Sequence, residues 1–100
     1  MDTNSDAREV AESALRRLLE LRVSLSPSIA DVAAIASKVR VPSGSEFSSQ
    51  VTANKARAEA WLAIRKVCRT LEGNPGNNDL DAFWGRALDL TKIWLQAIDG

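Results

Sequence analysis

The sequence predicts an all-α domain built from four amphipathic helices. Apolar residues recur at intervals of three and four along nearly the whole chain, which is the spacing of one face of an α-helix. Stretches that contain proline and glycine interrupt this pattern at two places, 41–45 and 73–76. No segment alternates polar and apolar residues over a useful length. Four such helices on short connections form an antiparallel bundle or an orthogonal helical array.

The first two helices are predicted over residues 6–24, after a frayed leader, and over residues 27–39. The second helix has two competing starts. Ser26 can cap it with Pro27 at the first helical position, whereas Ser28 and Asp31 have the spacing of a capping box. Several alanines on the inner face of this second helix allow a neighbouring helix to approach closely.

The third helix, predicted over residues 45–72, is the longest, and the fourth is predicted over residues 79–98. Gly73 is expected in a left-handed cap position after the third helix, and Pro75 prevents the helix from resuming. The third helix carries a seam of the coiled-coil type with a polar residue inside it. That seam repeats every seven residues at Phe47, Asn54, Trp61 and Cys68.

Length, charge and cysteine content predict one cytoplasmic domain over residues 1–100. The 13 basic and 13 acidic residues cancel, which removes the overall electrostatic attraction to nucleic acid or anionic membranes. No stretch approaches the ~20 apolar residues of a membrane span, and the polar N-terminus does not resemble a signal peptide. The single cysteine excludes an intrachain disulfide and fits a reducing compartment.

Catalysis, cofactors and metal ions are not expected. The chain has no histidine, which excludes Ser-His and Cys-His catalysis and zinc sites with histidine ligands. It also lacks a glycine-rich phosphate loop and a nucleophile elbow. Cys68 is expected to be buried and inert, although its sequence neighbours Arg65 and Arg69 favour a lowered pKa.

Two surfaces are candidates for binding a protein partner. Residues 47–72 carry five basic and two acidic side chains, and most of these cations share one broad helical face. That face either is simply solvated or docks on an acidic protein. The second surface is the edge of the apolar stripe on the fourth helix, whereas Trp61 and Trp94 are expected in the core. The candidate partner-binding residues are Lys55, Arg65, Lys66, Arg69, Trp84 and Leu88.

The predicted function is a non-catalytic protein–protein interaction module. It would act as an adaptor, an inhibitor or antiactivator, or a small subunit, by docking a helical face on a larger protein. The stripe of the third helix is longer than the first two helices can cover. This surplus also predicts a homodimer, with Asn54 near the interface.

The alternative function is a DNA-binding regulator. The run ASKVRVPSGSEFSSQV loosely resembles the helix-turn-helix motif of small bacterial repressors, and this resemblance implies binding in the major groove. Arg40 stands where that family commonly has a glycine, and the recognition stretch 43–50 contains no Lys or Arg. Nucleic acid is therefore the less favoured partner.

Overall fold

A computed structural model of the chain describes residues 3–23, 28–41, 51–73 and 79–99, and these ranges contain four α-helices. No strand occurs in these ranges, which confirms the predicted all-α class. None of the four helices combines the length and the apolarity that crossing a bilayer requires within these ranges. The helices are α1 at Thr3–Arg22, α2 at Ile29–Val39, α3 at Val51–Gly73 and α4 at Leu80–Asp99.

Each helix runs antiparallel to its neighbours, because contacts join the later part of one helix to the beginning of another. These contacts are Arg17–Asp31 for α1 and α2, Ile29–Cys68 for α2 and α3, Lys66–Phe83 for α3 and α4, and Arg22–Asp81 for α1 and α4. The helices therefore form an up-down-up-down bundle in which α1 and α3 occupy opposite corners. The extents of 41 × 21 × 20 Å fit a bundle little longer than α3.

All four helices contribute to a single apolar core. Leu18 of α1 and Trp94 of α4 are almost completely buried, and each such side chain contributes about 1.5–3 kcal/mol relative to an exposed one. α3 packs against both α2 and α4, and small side chains on its inner face allow close approach. The buried residues of α3 are Ala53, Ala60, Ala63, Ile64, Val67 and Leu71.

The buried seam of α3 lies one residue before the predicted one. Ala53, Ala60 and Val67 repeat every seven residues and are buried. Both α2 and α4 pack against α3, and the face of α3 that they cover carries alanines rather than a tryptophan. The prediction that Trp94 is a core residue is confirmed, whereas Trp61 is only partly buried and packs against the edge of the core. Phe47 lies outside the described residues, and the other members of the predicted seam are only partly buried: Asn54, Trp61 and Cys68.

Several helix ends differ from the predictions. α1 begins at Thr3, so residues 3–6 belong to the helix rather than to a leader. α2 begins after Ser28, but the Ser28 side chain makes no capping hydrogen bond, and Asp31 pairs with Arg17 at 3.5 Å. Gly73 is the last residue of α3 instead of a left-handed residue beyond it. The competing cap at Ser26 and Pro27, the predicted start of helix 3 at residues 45–50 and the stop at Pro75 lie outside the described ranges.

Candidate functional site

The outer side of α3 brings together Leu62, Arg65, Lys66 and Arg69, which we term the α3 face. Residues three and four positions apart lie beside one another on a helix, so these side chains form one continuous strip. Leu62 is 57% exposed, and Lys66 and Arg69 are also exposed. Lys55, the fourth predicted cation, is exposed but lies ten residues from Arg65, about 15 Å along the helix. It is therefore not part of this strip.

The cations of the α3 face form no ion pair with any carboxylate among the described residues. In α1, by contrast, Arg17 contacts Glu20 at 3.1 Å, and other arginines are paired in the same way. Arg65, Lys66 and Arg69 lie within about one turn of α3, and Glu72 follows Arg69 by one turn, so this part of a chain with zero net charge is locally basic.

Two cations of the α3 face lie over aromatic rings on opposite sides of the helix. The Arg65 guanidinium is 4.9 Å from the centroid of the Trp61 ring. The Lys66 ammonium is 4.7 Å from the centroid of Phe83, which belongs to α4. At an exposed site such a contact is worth about 0.5–1 kcal/mol, and the remaining N–H donors of each cation stay available to a carboxylate.

A shallow groove of about 270 Å³, which we term the α3/α4 groove, runs beside the α3 face. Leu62 and Lys66 line it from α3, and Phe83, Arg86 and Leu90 line it from α4. Its lining combines apolar side chains with the cations of Lys66 and Arg86, and Glu59 is the one acidic residue among the described residues that line it. Apolar side chains combined with polar and charged ones are the usual composition of a surface that binds another protein.

A second groove, of about 350 Å³, lies between α2 and α3 and exposes part of Cys68. The thiol is therefore partly buried rather than fully buried as predicted. Burial nevertheless raises the pKa of Cys68, the Glu72 carboxylate raises it further, and Arg65 opposes the rise. Arg65 acts in the expected direction, but desolvation and Glu72 together outweigh it, so the pKa is raised rather than lowered. A thiol with a raised pKa is a weak nucleophile at neutral pH.

Trp84 and Leu88 lie in the core and not on a binding surface. Each is only 3% exposed. The Trp84 indole Nε1 donates a hydrogen bond of 3.0 Å to the backbone carbonyl of Leu18 in α1. α1 covers this side of α4, while α3 covers another. The prediction that Trp84 and Leu88 form a partly exposed edge is therefore wrong, and neither residue belongs to the candidate site.

Arg57 joins three helices, a role that the sequence analysis missed. Its Nε donates to the Val39 carbonyl at 2.7 Å, and its Nη2 donates to the carbonyls of Lys38 and Arg40 at 3.0 and 3.2 Å. These carbonyls lie at the end of α2, where backbone acceptors lack partners within the helix. The guanidinium also lies 5.1 Å from the centroid of the Trp94 ring of α4.

Burial lowers the pKa of Arg57, although an arginine stays protonated in proteins. Its position in the sequence does contain a signal of this role. Arg57 precedes Ile64 by seven residues and Leu71 by fourteen, so it occupies the buried stripe of α3 where an apolar residue is expected. A cation on such a stripe indicates a half-buried charge with dedicated acceptors.

Across the ranges that the structure describes, no group of three or more Asp, Glu or Cys residues is placed to hold a metal ion. The stretch 43–50, which the helix-turn-helix resemblance makes the recognition segment, lies outside those ranges. Comparison with protein-family models, with curated proteins and with solved structures finds no match to this chain.

Proposed function

We propose that the chain is a non-catalytic protein-interaction module that docks the α3 face on an acidic surface of a larger protein. In that role it is an adaptor, an inhibitor or antiactivator, or a small subunit of a complex. One observation carries the proposal: the α3 face combines three cations that have no carboxylate partner in the described ranges with a leucine that is 57% exposed.

The two parts of the α3 face contribute differently to binding. Cations at the rim of an interface mainly accelerate the encounter with an oppositely charged partner, and salt weakens this effect. Leu62 and the aliphatic stems of Arg65, Lys66 and Arg69 supply apolar area that a partner can bury. An acidic protein matches both parts, because it brings opposite charge and apolar contact together.

Nucleic acid matches the α3 face less well. A DNA-binding protein typically neutralises about 6–10 phosphates, whereas this face holds three cations on a chain with equal numbers of basic and acidic residues. The helix-turn-helix alternative gains no supporting contact from the described helices, and it remains a prediction.

The proposal includes a cytoplasmic setting and self-association. The single free thiol fits a reducing compartment. Asn54 is partly exposed on α3, away from the middle of the α3 face, so a dimer formed there would leave that face available.

Differential affinity capture tests the proposal. The face variant is Arg65→Glu with Arg69→Glu, and the matched control is Arg16→Glu with Lys38→Glu. The control side chains are exposed on α1 and α2, have no ion pair in the described ranges, and change the net charge by the same amount. Circular dichroism and melting temperature establish first that both variants are folded.

The proposal predicts a protein that the wild type and the control retain from a lysate of the source cells and that the face variant loses. After purification, that protein should bind the face variant at least tenfold more weakly than it binds the wild type, which is a loss of about 1.4 kcal/mol in binding free energy. If no retained protein distinguishes the face variant from the control, the α3 face is only a solvated surface and the proposal is wrong.

A further inference from the structure

We propose that the α3/α4 groove binds one amphipathic, acidic α-helix of the partner protein. This inference rests on the proposed function and assigns the partner's recognition element. It concerns Leu62, Lys66, Phe83, Arg86 and Leu90, whereas the test of the proposed function changes only Arg65 and Arg69.

The shape of the groove favours a helical ligand. Its walls are two antiparallel helices, so the depression follows their common direction. On α4 the lining residues Phe83 and Leu90 are seven positions apart, which is about 10 Å or two helical turns. Ile93, which is 50% exposed, lies almost one turn beyond Leu90. A ligand helix with apolar residues at positions i, i+3 or i+4, and i+7 presents anchors over this same length.

The charged residues of the groove favour particular residue types on the two sides of the ligand helix. Lys66 lines the groove from α3 and Arg86 lines it from α4, together with the apolar side chains of both helices. A helix seated in the groove therefore meets a cation on either side of its apolar stripe, and Asp or Glu at these flanking positions forms ion pairs. Glu59 lies one turn from Leu62 towards the start of α3, which favours a basic ligand residue at that end of the groove.

Lys66 partly covers the groove, and pairing with a ligand carboxylate would move it aside. Its ammonium extends from α3 to α4 and covers the ring of Phe83 at 4.7 Å. A ligand carboxylate that pairs with Lys66 draws the ammonium outward and uncovers the ring for an apolar anchor. A neutral helix has no such group, so it must displace Lys66 without a compensating ion pair.

A second copy of this chain is a poorer occupant. If two copies joined through their α3/α4 grooves, each would bring the cations of Lys66 and Arg86 and the carboxylate of Glu59, so cations would outnumber carboxylates across the interface. Like charges opposed across an interface disfavour association. Charge complementarity therefore favours an acidic segment of a different protein.

Selection from a displayed library tests the inference. The library consists of 16-residue helical peptides in an alanine background, with random residues at eight positions around the helix. The wild-type chain is the bait, and we expect the enriched peptides to carry apolar residues at i, i+3 or i+4, and i+7 with Asp or Glu on both flanks. Enriched peptides without acidic flanks, or no enrichment, would overturn the inference.

Two matched variants then locate the binding site of the selected peptides. Leu62→Gln removes an apolar wall of the groove, and Leu19→Gln changes a leucine on α1 that is 46% exposed. Leu62→Gln should weaken peptide binding at least tenfold, Leu19→Gln less than twofold. In Lys66→Met, the preference for acidic over neutral versions of a peptide should fall at least fivefold. Equal losses in the two leucine variants, or an unchanged preference in Lys66→Met, would contradict the inference.

The captured partner separates this inference from the proposed function. Arg86→Glu changes an exposed residue that lines the groove and does not belong to the α3 face. If Arg86→Glu leaves partner binding unchanged while the face variant loses it, the groove inference is wrong and the proposed function stands. If both sets of variants bind normally, both proposals are wrong. Light scattering that shows a dimer for the wild type and a monomer for Leu62→Gln would assign the groove to a second copy instead.

Discussion

Replacing Arg57 by methionine tests how the bundle is held together. The substitution keeps a long, flexible apolar side chain and removes the guanidinium. It deletes three hydrogen bonds to the end of α2, at 2.7, 3.0 and 3.2 Å, and the cation that lies over the Trp94 ring. The carbonyls of Lys38, Val39 and Arg40 then need water as their partner.

The structure sets the expected size of the loss. A hydrogen bond from a charged donor contributes about 1.5–3 kcal/mol, but the three bonds share one half-buried group and the freed carbonyls partly regain water. The cation–π contact adds about 0.5–1 kcal/mol, and the loss of a cation near a helix C-terminus adds about 0.3–1 kcal/mol. We expect Arg57→Met to lower the free energy of unfolding by about 2–4 kcal/mol, from a total of about 5–15 kcal/mol for a domain of this kind.

Urea unfolding followed by circular dichroism measures this loss. Lys55→Met, an exposed cation of the same helix, is the matched control and should change stability by less than about 0.5 kcal/mol. Arg57→Lys keeps the charge without the planar fork of donors, so it should fall between the wild type and Arg57→Met. If Arg57→Met and Lys55→Met unfold at the same urea concentration with equal slopes, Arg57 does not join the helices as described.

Three further predictions concern the core, the thiol and the oligomeric state. Trp94→Ala should cost about 3–5 kcal/mol in urea unfolding and Trp61→Ala clearly less, because Trp61 is only partly buried; the reverse order would contradict the described core. The rate of Cys68 alkylation by iodoacetamide should rise with pH through a midpoint above that of the unfolded chain, since the folded thiol has a raised pKa. For the same reason, the stability that the protonated Cys68 thiol contributes is present below the pKa of the unfolded chain and is lost as the pH rises through the pKa of the folded protein. An alkylation midpoint equal to or below that of the unfolded chain would show that the pKa of the folded thiol is not raised. Light scattering should give about twice the chain mass of 10.9 kDa, and Asn54→Leu should alter stability or stoichiometry; a monomer at ~100 μM would exclude the dimer.

The fold class could be predicted because helix formation depends on local periodicity. The rotation of α3 about its own axis could not be predicted from the sequence. Its apolar stripe is wide enough to include both Ala60 with Val67 and Trp61 with Cys68. The choice between these two faces depends on where α2 and α4 lie, which no single helix encodes.

One part of the candidate site could be predicted from the sequence, and the other part could not. Leu62, Arg65, Lys66 and Arg69 are neighbours on one helix, so the spacing of the chain alone predicts that they share a surface. The opposite wall of the α3/α4 groove depends on the register between α3 and α4. The burial of Trp84 was missed for a related reason, since α1 covers the side of α4 that α3 leaves open.

The association rate constant of the captured partner, measured from low to high salt, tests the central claim most directly. The account predicts that the rates of the wild type and the Arg16→Glu, Lys38→Glu control fall steeply as salt rises. The Arg65→Glu, Arg69→Glu variant should associate at least tenfold more slowly at low salt, with a rate that salt does not reduce. Equal rates and equal salt dependence for all three folded proteins would show that the α3 face takes no part in binding.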